Sequence, residues 1–214
     1  MAVGLRLLAL AIGYLFGTFQ TGYFYGKAHG IDIREHGSGN AGATNTLRTL
    51  GFKAGVITFA GDCLKAVGAV LLMMHFLGNN FAGDARILGL YAGLGAVLGH
   101  NYPFYLKFKG GKGIACTAGV AFAVCPEAVP VCLVVFVISF WLTKYVSLGS
   151  ILMAALFIIQ VIEFNWMGAL GLPVENVLEF DILVIAFGVL AIWRHKANIG
   201  RLLAGTENKI GSKK

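Results

Sequence analysis

Apolar stretches with the length of a membrane crossing dominate this sequence. Five are clear, at residues 3–26, 52–77, 84–106, 146–167 and 179–194. A bilayer core of ~30 Å takes about 20 helical residues, and lipid offers no partner for an open backbone, so such runs fold as α-helices. A sixth run, 113–142, would be about 45 Å long as one helix at ~1.5 Å per residue, which is too long for one crossing. Pro126 and Glu127 interrupt it. Splitting there predicts two short spans, 113–125 and 127–142, and seven in all. The expected fold is all-α, a polytopic membrane bundle of about seven transmembrane helices.

Composition agrees and removes the other classes. Hydrophobic residues make up 57% and charged residues 13%, against about 25% charged in soluble domains; mean hydropathy is +0.77. A disordered chain, a disulfide scaffold and an ordinary soluble domain are excluded. No internal repeat or soluble insert is visible, so residues 1–214 read as a single integral-membrane domain. The first run is too long for a signal-peptide core and is read as a retained span. Cys63, Cys116, Cys125 and Cys132 lie in apolar stretches without metal-ligand spacing and read as buried thiols. No carboxylate cluster is present, so neither a metal nor another cofactor is expected. The polar tail Ala204–Lys214 is expected to fray.

Charge sets the orientation. With seven spans and the N-terminus outside, 14 of the 17 basic residues fall on the inner side, among them Lys27, Arg34, Arg48, Lys107, Lys109, Lys112, Lys144, Arg194, Arg201, Lys213 and Lys214. The positive-inside rule then places the C-terminus in the cytoplasm. The excess of +7 reads first as topology and then as attraction for an anionic ligand; no nucleic-acid partner is expected.

That orientation brings three unusual segments to the cytoplasmic face. The first runs from Gly37 to Asn45 as G-S-G-N-A-G-A-T-N, followed by Arg48. Alternating glycines and small polar residues can turn several backbone N–H groups toward one anion, and a guanidinium suits phosphate. The second is Gly99-His100 to Pro103, then Lys109-Gly110-Gly111-Lys112-Gly113 opening an apolar run. A glycine turn at a helix start is an anion site, although it lacks the Walker A spacing. The third is Arg194 to Arg201, then Gly205-Thr206-Glu207; His195, Asn198 and Arg201 step by three along a helix. Taken singly, these segments also fit interfacial loops, helix caps and a lipid-binding basic helix. Asp62 and Lys65 lie within the second span, where ionisable groups are costly and usually functional.

Together the motifs S-G-N-x-G-A-T-N-x-x-R (Ser38–Arg48), G-H-x-x-P-x-x-x-x-F-K-G-G-K-G (Gly99–Gly113) and R-H-x-x-N-I-x-R-L-x-x-G-x-E (Arg194–Glu207) resemble the acyl-phosphate:glycerol-3-phosphate acyltransferase family of bacterial inner membranes. Cys116 stands where that family usually has Thr. The resemblance implies a multi-pass protein of the bacterial inner (plasma) membrane with its active site facing the cytoplasm. The implied reaction is attack of the sn-1 hydroxyl of glycerol 3-phosphate on an acyl phosphate, giving lysophosphatidic acid and inorganic phosphate for phospholipid synthesis. The family lacks the His-x4-Asp motif of other glycerolipid acyltransferases, and no His here has that spacing.

The resemblance implies three catalytic residues, Ser38, Lys112 and His195. Lys112, with Gly110, Gly111 and Gly113, would hold the acyl-phosphate head and stabilise the departing phosphate. Ser38, Gly39 and Asn40 would position the reacting group. Thr44, Asn45, Arg48, His100, Asn198 and Arg201 complete the substrate contacts, with glycerol 3-phosphate held by Arg48, His195, Asn198 and Arg201. His195 and the substrate's own phosphate are both open as the base. A transporter of a phosphorylated metabolite is the alternative; the lack of a repeat and the one-sided motifs count against it.

Overall fold

Helices form where the apolar runs predict them. The computed structural model describes residues 2–211, and among these every regular element is helical. The α-helices are α1 (Ala2–Thr18), α2 (Thr21–Ala28), α3 (Ala43–Leu50), α4 (Phe52–Leu77), α5 (Ala85–Asn101), α6 (Ile114–Val124), α7 (Val129–Thr143), α8 (Val146–Trp166), α9 (Val174–Arg194) and α10 (Lys196–Leu203). Among the described residues, five stretches are long and apolar enough to cross a membrane: Val3–Ala28, Phe52–Asn80, Pro126–Thr143, Val146–Trp166 and Val174–Arg194. Large apolar side chains such as Phe52, Leu64, Trp141, Trp166 and Val174 point outward, as a lipid-facing surface requires. Lys213 and Lys214 lie outside the described residues.

Two runs differ from expectation in an informative way. The first is two helices, broken at Phe19–Gln20. Polar side chains meet the carbonyls near the break: Gln20 Nε2 donates to Gly17 O, and Lys65 Nζ donates to Phe19 O. The long run 113–142 breaks at Cys125, a residue from the expected place. Pro126 opens a 3₁₀ turn, Pro126–Ala128, before α7 begins. The first half, α6, has only 11 residues, about 16 Å of helix at ~1.5 Å per residue.

The chain divides into two units, one ending at Val124 and the other starting at Cys125. In the first unit, α5 is enclosed; Leu88, Leu90, Ala92 and Ala96 have no exposed surface. Its tightest neighbour is α1. A Cβ at Gly13 or Gly17 would overlap the carbonyls of Ala92 and Ala96, and one at Gly95 or Gly99 would overlap those of Leu10 and Tyr14. Both helices thus carry a G-x-x-x-G pair that lets backbones touch, the packing device of membrane helices. Partner numbers rise together along the contact, so α1 and α5 run parallel. α4 packs on α1, α3, α5 and α6. In the second unit, α8 packs on both α7 and α9, and Gly188 fits against Ile158.

Candidate active site

The first glycine-rich loop is folded around one side chain. Asn45, 1% exposed, sits in the first turns of α3. Its Oδ1 accepts the Ser38 N–H at 2.7 Å, and its Nδ2 donates to Ile33 O (2.9 Å), His36 O (2.9 Å) and Asn40 O (3.0 Å). Gly37 and Gly39 turn the chain at φ +58° and +70°, a region that favours glycine. Asn40 Oδ1 accepts the Gly42 N–H. Ser38 and Gly39 are exposed, while Asn40, Thr44 and Arg48 are half-buried. Thr44 and Arg48 are one helical turn apart on α3 and share a side.

This changes the role expected of the loop. The N–H groups of Ser38, Gly39 and Gly42 already donate to Asn45 Oδ1, His36 O and Asn40 Oδ1, so they do not form an anion nest. Asn45, expected to touch substrate, has both polar atoms spent on shaping the loop. Upstream, Asp32 accepts from Arg34 (Nη2–Oδ2 2.7 Å), and that guanidinium lies over the Tyr23 ring. The Arg34 hydrogen bonds outweigh the cost of burial and hold the Asp32 carboxyl well below the usual carboxylate range.

The second segment is a strap bent back on the end of α5. After Pro103 and the 3₁₀ turn Phe104–Leu106, Lys107 and Phe108 take left-handed conformations. The strap then returns: the Gly110 N–H donates to Asn101 O at 3.2 Å and the Gly111 N–H to His100 O at 3.0 Å. A Cβ at Gly110 would overlap His100 O, and one at Gly111 would overlap the His100 ring at Nε2. Those glycines serve close packing, and their N–H groups are committed within the protein, contrary to the expected anion contact. Lys112, half-buried, stands two residues before α6, and Gly113 (φ +83°) directly before it.

His100 is likewise internal, 3% exposed. Its Nδ1 lies 2.9 Å from Lys65 Nζ and 3.6 Å from Asp62 Oδ1, and Lys65 and Asp62 pair at 2.8 Å. Thr21 Oγ1 donates to Asp62 Oδ1, and Gln20 Nε2 donates to His100 O. The sequence showed the Asp62–Lys65 spacing but not its histidine partner. Gln20 was missed, although a glutamine inside an apolar run was a visible signal.

The third motif lies in the second unit. His195 stands between α9 and α10, buried, with Nδ1 2.7 Å from Ala191 O. A carbonyl only accepts, so Nδ1 carries the proton and the neutral ring has its lone pair on Nε2. Asn198 Nδ2 and Ser147 Oγ donate to Glu207 Oε1 at 2.8 and 3.0 Å, and Arg201 Nε donates to Oε2 at 2.7 Å. Burial raises the pKa of Glu207, and these three donors lower it by more. Asn198, 5% exposed, is therefore tied into a clasp, whereas the Arg201 side chain remains 37% exposed. Glu207 was visible in the motif without a role. Nor is the described part of the tail loose: the Ile210 N–H donates to Lys144 O at 3.0 Å, and Lys209 lies over the Tyr145 ring.

Residues 38–48 and 100–113 thus belong to the first unit, where α4 packs on both α3 and α5; His195, Asn198 and Arg201 belong to the second.

Known proteins are similar to this chain over nearly its whole length. A family model described as glycerol-3-phosphate acyltransferase matches residues 7–205. The glycerol-3-phosphate acyltransferase of Alkaliphilus metalliredigens is 44% identical over 210 residues, covering 98% of each chain. That of Clostridioides difficile is 42% identical and covers 97% of each. Among solved structures, the glycerol 3-phosphate form of PlsY (YgiH), an integral membrane glycerol 3-phosphate acyltransferase, superposes with a TM-score of 0.80 at 37% identity over 96% of both chains. Its lysophosphatidic acid form superposes with a TM-score of 0.79 at 36% identity, over 96% of this chain and 95% of that one.

Proposed function

The chain belongs to the glycerol-3-phosphate acyltransferase family, and from that premise we propose the acyl-phosphate-dependent reaction with the residues in the roles below. One observation carries the reading. The PlsY relative was solved with glycerol 3-phosphate and with lysophosphatidic acid, which are substrate and product of one acyl transfer.

The sn-1 oxygen attacks the carbonyl carbon of the acyl phosphate. The carbon–oxygen bond to phosphate breaks, and inorganic phosphate leaves. The donor is already activated, so positioning and charge stabilisation suffice and no acyl-enzyme is required. Lys112, at the start of α6, holds the acyl-phosphate head and the leaving phosphate, helped by the helix N-terminus. Exposed Ser38 with Gly39 and Asn40 orients the reacting group. Thr44, Arg48 and the exposed end of Arg201 hold the phosphate of glycerol 3-phosphate. His195 Nε2 takes the hydroxyl proton, with the substrate's phosphate as the other acceptor. Asn45, His100, Gly110, Gly111 and Asn198 act by holding these groups in place. An apolar groove of about 410 Å³ between α1 and α5, bordered by Leu7, Leu10, Leu15 and Leu98, supports entry of the acyl chain from lipid.

Residues 1–214 form one integral-membrane domain with seven crossings, the N-terminus outside and the C-terminus in the cytoplasm. The parallel course of α1 and α5, with α4 between them in sequence, supports that alternation, as does the inward bias of Lys and Arg. The membrane is the bacterial inner membrane, and the site faces the cytoplasm. Alkaline phosphatase fused after Lys214 is expected to be inactive; an active fusion reverses the orientation.

The reaction is tested with purified protein and labelled glycerol 3-phosphate, supplied with palmitoyl phosphate or palmitoyl-CoA. Labelled lysophosphatidic acid from palmitoyl phosphate alone is expected. Product from palmitoyl-CoA alone overturns the donor, and product from neither overturns the reaction. Lys112→Met is expected to lower kcat by roughly 100-fold.

A further inference from the structure

Lys65 lies in the middle of α4, with its side chain 7% exposed. An ammonium has three protons and no lone pair. Here it meets three acceptors: Phe19 O at the α1–α2 break, Asp62 Oδ1 on its own helix, and His100 Nδ1 on α5. The third contact has a chemical consequence. Two donors cannot face each other at 2.9 Å, so His100 Nδ1 presents its lone pair and the ring proton sits on Nε2. That edge of the ring packs against Gly111. Gly111 precedes Lys112, and the carbonyl of His100 accepts both Gln20 Nε2 and the Gly111 N–H.

We infer that Lys65 is a positioning residue for the acyl transfer: it locks His100 in the Nε2–H tautomer and one orientation, and the locked ring seats the strap that carries Lys112. The inference rests on the proposed role of Lys112 and adds to it a residue that touches neither substrate. Asp62 completes the device. It balances the buried charge, and Thr21 orients its Oδ1 from the far side of the helix break. Its other oxygen, Oδ2, is buried without a hydrogen-bond partner among the described residues. Oδ1 is thus shared by Thr21 and Lys65.

The test pairs a spectroscopic readout with kinetics. Histidine side-chain 15N spectra of the whole protein, with His100 assigned by its loss in His100→Gln, are expected to show a bare Nδ1 and a protonated Nε2. A proton on Nδ1 overturns the inference. Asp62→Leu/Lys65→Met removes both charges together, leaving no uncompensated ion in the interior. It is expected to spread the ring proton over both nitrogens and to lower kcat with palmitoyl phosphate about tenfold, while KM for glycerol 3-phosphate moves less than about threefold. An altered tautomer with unchanged kcat overturns the positioning role. If that variant does not fold, Gly111→Ala, which displaces the ring without touching a charge, must lower kcat in the same way; an unchanged kcat there also overturns it. Lys112→Met at full activity would sink the reading of the site while leaving the tautomer result standing, so the two failures are distinguishable.

Discussion

The exposed Gly37 and Gly39 of the first loop and the buried Gly110 and Gly111 of the strap look alike in sequence and differ in what they supply, while Gly113, at φ +83°, turns the chain as the first pair does. In the loop, glycine is exposed and supplies backbone conformation: Gly37 and Gly39 turn the chain, and Asn45 fastens it from below. In the strap, Gly110 and Gly111 are buried and supply absence of volume, letting the chain lie on His100. Glycine richness in a site motif therefore indicates neither flexibility nor an anion nest. What matters is which surface meets the missing side chain.

The contrast can be broken by substitution. Asn45→Ala should have the largest effect, because it strips partners from three carbonyls and one N–H. At ~1 kcal/mol for each of these four hydrogen bonds, a loss of about 4 kcal/mol is expected, read as the unfolding midpoint in detergent. Gly110→Ala follows, since its Cβ would strike His100 O and Pro103; overpacking of this kind costs about 2 kcal/mol. Gly39→Ala should cost only about 1 kcal/mol, the strain of a left-handed alanine, because nothing closer than Arg34 O at 3.3 Å meets its Cβ. If Gly39→Ala proves worse than Gly110→Ala, the two glycine roles are reversed.

The clasp around Glu207 sharpens the comparison, because it is held by charge. Its folded pKa is depressed, so its stabilising effect is complete above the ordinary carboxyl range near ~4.3 and is lost as pH falls through the lower folded value. Wild-type protein should lose thermal stability over that acid window by more than Glu207→Gln does. Equal slopes for the two would remove Glu207 as the cause.

The helical runs are legible in the sequence because membrane burial leaves a long, simple apolar signature. The Pro126 break is legible for the same reason, since a run too long for one crossing must be interrupted. The break at Phe19–Gln20 is less so. It depends on Lys65 and His100, and His100 alone lies 80 residues from Gln20. In the candidate site, the residue types and motifs point to the family that the comparisons show, yet the hydrogen-bond accounts of Asn45, Gly110, Gly111 and Asn198 are set by tertiary partners. A motif records which groups are present. It does not record which of them the fold has already used.

The parallel contact of α1 with α5 also has a consequence for synthesis. Its two halves are separated in the chain by all of α2, α3 and α4. At ~5–20 residues per second, the roughly 80 residues from the end of α1 to the end of α5 take about 4–16 s to make. During that interval Gly13 and Gly17 have no matching helix, and the emerging α1 must be sheltered by lipid or by the insertion machinery. A nascent chain stalled before residue 85 would therefore hold its first helix in the bilayer with its docking face open.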